Sequence, residues 1–103
     1  MTRSMKLAAA TFSKMGFKIL STAKQTASGP DMHVERDGLI LRVEVKTARA
    51  AKRSMQIHPV EPLREHDDLI AVVFPSDYVL IEPMKDHLKV CSQSGTRNFF
   101  GIY

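Results

Sequence analysis

Leu39, Leu41, Val43 and Val45 alternate with Ile40, Arg42, Glu44 and Lys46, the period of two expected of a strand with one face buried and the other open to solvent or a cleft. Just before this run stands Arg36-Asp37-Gly38-Leu39. Asp-Gly is the pair that best tolerates positive φ at both centres of a two-residue hairpin loop. With Asp37 and Gly38 as the loop, Arg36 lies opposite Leu39, Val34 opposite Leu41 and Met32 opposite Val43, which makes an apolar face. His33 then meets Arg42 and Asp31 meets Glu44 on a polar one. A slip of one residue would mix the two faces, so the pattern specifies the register. The predicted strands cover residues 31–36 and 39–47.

Elsewhere the same reading predicts a helix over residues 4–15, with Met5, Ala8, Phe12 and Met15 on one stripe, Thr2 or Ser4 as cap and Gly16 as stop. Residues 17–22 read as a strand and 23–29 as a loop of small and polar residues. Pro59 and Pro62 forbid a long helix over 55–66, so a short helix beginning near Pro62 is the expectation there. Leu69-Ile70-Ala71-Val72-Val73-Phe74 is a continuous apolar run, as for a central strand covered on both faces. A strand over 77–82 and a short helix over 84–90 complete the order. These elements predict an α/β fold, a central mixed β-sheet flanked by α-helices. The tail Asn98-Phe99-Phe100-Gly101-Ile102-Tyr103 is apolar for a terminus; it either packs on the core, the favoured reading, or supplies a self-association surface.

At 103 residues the chain is expected to form a single domain, 1–103. Apolar residues make up 44% and charged ones 25%, ordinary for a globular protein. No segment approaches the roughly 18 to 20 consecutive apolar residues of a membrane span. Lys6 and Lys14 interrupt the apolar character around Ala8-Ala9-Ala10, so a secretory signal is not expected and a cytoplasmic location is. The one cysteine, Cys91, excludes an internal disulfide, and the four histidines are scattered without structural-zinc spacing. His66-Asp67-Asp68 reads as a solvated polar loop.

The hairpin register brings chemistry together. Asp31 and Glu44 face each other, and directly opposed like charges, with Cβ atoms about 4.5 to 5.5 Å apart, are destabilising unless a cation sits between them. A divalent metal is the economical answer. Lys46 shares the face of Glu44 one strand repeat on, within reach of a water or phosphate bound there. Singly, each residue has an ordinary reading as a turn former or a solvated strand residue; the three together at this spacing favour a site. The net charge is +4, and Arg42, Lys46, Arg49, Lys52 and Arg53 follow one another with Glu44 as the only acid among them. That excess suits a phosphate backbone, and a solvated basic loop is the alternative.

Helix 1 ending in Gly16-Phe17, a strand, the Ser28-Gly29-Pro30-Asp31 loop, the hairpin carrying Glu44-Val45-Lys46, then the 69–74 run with Tyr78-Val79-Leu80-Ile81 resemble the PD-(D/E)XK nuclease superfamily, in particular its Holliday-junction-resolvase-like members. The resemblance extends to about Pro83, and the order of elements carries as much of it as the short motif. It implies a restriction-endonuclease-like fold and a magnesium-dependent endodeoxyribonuclease, with Mn²⁺ as the alternative ion. It further implies Asp31, Glu44 and the Val45 carbonyl as metal ligands, and Lys46 as the group that orients or activates the attacking water. Gln56 matches a glutamine often found near such sites, although a surface polar residue is its ordinary reading. DNA is the implied partner, and a homodimer through an apolar surface or the C-terminal tail is expected because two strands call for two symmetry-related sites. One departure stands out. The chain has no Asp or Glu before Asp31, where many such nucleases carry a helix-1 glutamate; Ser4 and Lys6 occupy that surface instead. A non-catalytic nucleic-acid-binding or regulatory protein on the same scaffold therefore stays open, as does, more distantly, an assembly protein using the tail.

Overall fold

The computed structural model describes residues 2–22, 30–52, 54–57 and 67–103. Helix α1 (Arg3–Lys14) starts where the Thr2 hydroxyl accepts a hydrogen bond from Met5 N at 3.2 Å, satisfying one of the amides a helix start leaves unpaired. It stops at Gly16, whose φ of +89° lies in the left-handed region that glycine enters without a Cβ penalty. The Phe17 amide then returns to Phe12 O at 3.0 Å, which turns the chain directly into β1 (Lys18–Ser21).

Strands β2 (Met32–Arg36) and β3 (Leu39–Thr47) follow. Next come β4 (Arg49–Ala50), β5 (Met55–Ile57), β6 (Leu69–Val73) and β7 (Val79–Pro83), then α2 (Met84–Ser94) and β8 (Arg97–Phe99). Five strands form one sheet in the order β1-β2-β3-β6-β7, with only the β3/β6 pair parallel. The interior position of β6, between β3 and β7 and covered on both faces, explains its unbroken apolar sequence.

Alternation along the strands sorts the core into two layers. Met32, Val34, Val43 and Ala71 lie beneath Ala8 and Phe12 of α1. On the opposite face Ile70 and Val72 pack with Met55, Ile57, Phe99 and Met84. This second layer is covered by α2 together with a three-stranded sheet of order β4-β5-β8. The helices were expected and that small sheet was not. Strands of two or three residues leave no period to read, and their pairing is set by residues far apart in the chain. Helix α2 runs to Ser94, beyond the expected 84–90, and ends at Gly95 with φ +79° and a 2.7 Å bond from its amide to Cys91 O. The expected short helix near Pro62 and the 23–29 loop lie outside the described residues. The tail splits: Phe99 is buried and Ile102 packs against the second layer, whereas Phe100 and Tyr103 are exposed. Among the described residues no helix is long and apolar enough to cross a membrane.

Candidate active site

The β2–β3 hairpin turns as its sequence requires. Asp37 and Gly38 both have positive φ, 54° and 83°, as a two-residue primed turn needs. The pairs run Arg36↔Leu39, Glu35↔Ile40, Val34↔Leu41, His33↔Arg42 and Met32↔Val43, the register read from the sequence. The ladder ends there, so Asp31 does not form the expected cross-strand pair with Glu44. Its amide instead donates to Val43 O at 3.0 Å, and its carboxylate Oδ2 accepts from the Val45 amide at 2.8 Å.

That side-chain bond brings the Asp31 carboxylate to the backbone between Glu44 and Lys46. In an antiparallel pair a residue's N–H and C=O point to the same side of its strand. The Val45 carbonyl is therefore directed toward the Asp31 side as well. Glu44 and Lys46 flank Val45 and project from the opposite sheet face to it. Glu44 is buried, at 3% exposure, and Lys46 is half-buried. A carboxylate at that depth is costly to hold unless its charge is compensated. Among the described residues no three His, Cys, Asp or Glu side chains group as a metal site. The donor set on offer is two carboxylates plus a backbone carbonyl. All are oxygens, which fits Mg²⁺, an ion usually bound through one or two carboxylates with water and substrate phosphate completing its shell.

Other expected residues are distributed differently. Arg42 is exposed, and both its amide and its Nε reach Asp68 Oδ2, at 2.9 and 3.4 Å. The backbone bond above all, with the guanidinium behind it, holds the Asp68 carboxyl below its usual range, against a smaller opposing push from burial. Of the expected solvated loop His66-Asp67-Asp68, Asp67 is instead buried at 7% exposure, drawn in where β6 begins, Asp68 stays partly exposed, and His66 lies outside the described residues. Arg49 and Lys52 are exposed and Gln56 is half-buried, on the small sheet and its turn. Arg49 and Gln56 are paired with one another, while Arg53 lies outside the described residues. Ser4 Oγ is 2.6 Å from Thr47 Oγ1, on the α1 side of the sheet and not on the Glu44 face.

A second polar cluster was not foreseen. Glu82 of β7 pairs across the ladder with Ile70, as Glu44 does from the other side. Its carboxylate meets His87 Nδ1 at 3.3 Å and Arg97 Nη2 at 3.3 Å, and His87 Nε2 stands 3.6 Å from Cys91 Sγ. Burial pushes Glu82 upward, yet the bonds from His87 and Arg97 together bring its carboxyl below the usual range. Burial raises the Cys91 thiol, so it stays protonated at neutral pH. The His87/Cys91 spacing of one helical turn was a readable signal. Arg97, brought back by β8, was not.

No family model matches the sequence, and no curated protein matches it. Among solved structures, a bacterial homing endonuclease, I-Ssp6803I, superposes with a TM-score of 0.76 at 14% identity, over 94% of this chain and 70% of that one. The five-stranded mixed sheet with its two helices is thus a nuclease-like fold.

Proposed function

We propose that the chain is a metal-dependent DNA endonuclease of PD-(D/E)XK type. The observation that carries this reading is the 2.8 Å bond from the Val45 amide to Asp31 Oδ2, which brings a second carboxylate to the backbone joining Glu44 and Lys46. The fold it shares with an endonuclease supports the same reading. Asp31, Glu44 and the Val45 carbonyl would hold Mg²⁺, or Mn²⁺ in its place. A bound ion of this kind makes water a stronger nucleophile and neutralises charge on the reacting phosphate.

The chain's own groups do the rest. Val45 N–H fixes the orientation of the Asp31 carboxylate. Lys46, on the Glu44 face, orients the water whose oxygen bonds to phosphorus as a P–O ester bond breaks, and its ammonium stabilises the charge that develops on the phosphoryl oxygens. Arg49 and Lys52, both exposed, face the same DNA, Lys52 at its phosphate backbone. Arg42 reaches it only in competition with Asp68. A homodimer would place one such centre on each strand of a duplex or junction. The test is a cleavage panel of linear, nicked and four-way DNA with Mg²⁺, Mn²⁺ or EDTA. Cleavage that needs the metal and disappears in both Asp31→Ala and Lys46→Ala is expected; unchanged cleavage in those variants would overturn the assignment.

One observation favours a second reading. Helix α1 brings no acid to the site, and Ser4 is engaged with Thr47. A scaffold that binds nucleic acid without cutting it would show salt-sensitive DNA binding and no metal-dependent products.

A further inference from the structure

The small sheet offers a surface the hydrolytic centre does not use. Its register sets Arg49 of β4, Gln56 of β5 and Asn98 of β8 in one row across three strands. Their neighbours Met55, Ile57 and Phe99 point into the core, so the row faces outward. Asn98 is turned into the protein: its Nδ2 donates to Thr96 Oγ1 at 3.3 Å, and its Oδ1 is buried and unpaired among the described residues. Arg49 and Gln56 are the pair that faces out. At the tip of this hairpin, where the Ala51 amide closes a turn on Ser54 O at 2.8 Å, Lys52 is exposed.

The charge of the surface selects its partner. No Asp or Glu occurs between Glu44 and Glu61, nor after Asp86, so every side chain of β4, β5, β8 and the described part of their turn is neutral or cationic. A two-stranded ribbon fits the major groove of B-form DNA. There an arginine fork matches guanine O6 and N7, and a glutamine amide matches adenine N6 and N7. Neighbouring strands lie about 4.8 Å apart and stacked bases about 3.4 Å apart, so a paired Arg and Gln address neighbouring base pairs. Arg49 also follows Lys46 by three residues, a chain reach of at most about 10 Å. A groove read here puts the reading beside the phosphate that the centre would cut.

We infer that the β4–β5 ribbon reads duplex DNA sequence through its major groove, with Arg49 and Gln56 contacting two neighbouring base pairs and Lys52 contacting phosphate. The inference rests on the endonuclease reading for its partner and deepens it. It is tested by binding selection from a pool of randomised duplexes, using the full chain with Ca²⁺ in place of Mg²⁺ and, separately, in EDTA. The unmodified chain is expected to enrich a preferred sequence. Arg49→Lys, which keeps the charge and loses the fork, and Gln56→Leu, which keeps the bulk and loses the amide, should each relax preference at one base-pair position by roughly 5- to 150-fold. Those two positions should be adjacent. Lys52→Ala should weaken binding to all sequences alike. Circular dichroism on each variant checks that the small sheet still forms, and Arg49→Lys, outward and charge-conserving, is the variant least able to disturb it. Preference retained in both variants, affinity lost evenly across sequences, or no duplex bound by the unmodified chain would each overturn the inference. A parallel cleavage assay separates it from the reading beneath it: cutting without sequence preference sinks only the inference, and specific binding without cutting sinks only the hydrolysis.

Discussion

Glu44 and Glu82 occupy one row of the sheet, on either side of Ile70, in different surroundings. Glu82 lies against His87 and Arg97, two groups that hydrogen-bond its carboxylate and tie β7 to α2 and β8. Glu44 is the more buried of the two. It directly precedes Val45, whose amide holds the Asp31 carboxylate, and shares its face of β3 with Lys46. A carboxylate bonded to an arginine and a histidine is a staple. In the proposed function the Asp31 and Glu44 carboxylates, with Lys46 nearby, would instead take a cation and a phosphate. The same residue type in the same row of one sheet thus meets different surroundings on the two sides, and under the proposed function the Glu82 side is structural and the Glu44 side chemical.

The comparison breaks most sharply at the chemical side. Lys46→Ala should lower DNA cleavage by about 100-fold or more, the usual scale for removing a group that stabilises transition-state charge. Its melting temperature should move little, since the ammonium is only half-buried. Asp31→Ala should abolish metal-dependent cleavage as well. It also removes the acceptor of the Val45 amide, so a loss of about 1 kcal/mol, or roughly 4 to 8 °C in melting temperature for a chain this size, should accompany it in a calorimetric scan.

On the structural side the signs reverse. Glu82→Ala leaves His87, at 5% side-chain exposure, and Arg97 without their acceptor, so a destabilisation of about 1 to 3 kcal/mol is expected. Cleavage per folded molecule should stay within a factor of a few of the unmodified chain. Urea denaturation alongside the cleavage assay checks both halves.

A finer distinction lies in acid. The Glu82 and Asp68 carboxyls sit below their ordinary values of 4.5 and 3.8. A depressed folded-state pKa contributes stability that is fully present above the unfolded value and is lost as pH falls through the folded one. Melting temperature should thus begin to fall as pH drops past 4.5 and continue down through the acid range. Glu82→Gln should flatten part of that slope. The Asp68 share is the smaller, because that pair is exposed and surface ion pairs contribute about 0 to 1 kcal/mol.

The first half of the fold was legible because each element announces itself locally. Thr2 and Gly16 mark the ends of α1, Asp37-Gly38 fixes the hairpin register to the residue, and the apolar run of β6 announces a strand covered on both sides. Of the candidate site, the shared face of Glu44 and Lys46 was legible and the placement of Asp31 was not. Alternation places Glu44 and Lys46 on one face, but whether Asp31 continues the ladder or caps it with its side chain depends on where the chain leaves the sheet, and no period encodes that. The small sheet was hidden for a related reason. Met55-Gln56-Ile57 is too short to show a pattern, and its partner Phe99 lies in a tail whose apolar character showed that something packs but not that it pairs. Glu82, His87 and Arg97 look like separate surface charges until α2 runs its full length and β8 returns the arginine.

The central claim is that Glu44 is the chemical carboxylate and Glu82 the structural one. Its most direct test is a side-by-side measurement of Glu44→Gln and Glu82→Gln, recording cleavage of duplex and four-way DNA in Mg²⁺ and in EDTA together with melting temperature. Glu44→Gln should lose metal-dependent cleavage, while Glu82→Gln should melt lower than the unmodified chain and still cut. A Glu44→Gln chain that cuts DNA as the unmodified chain does would contradict the account.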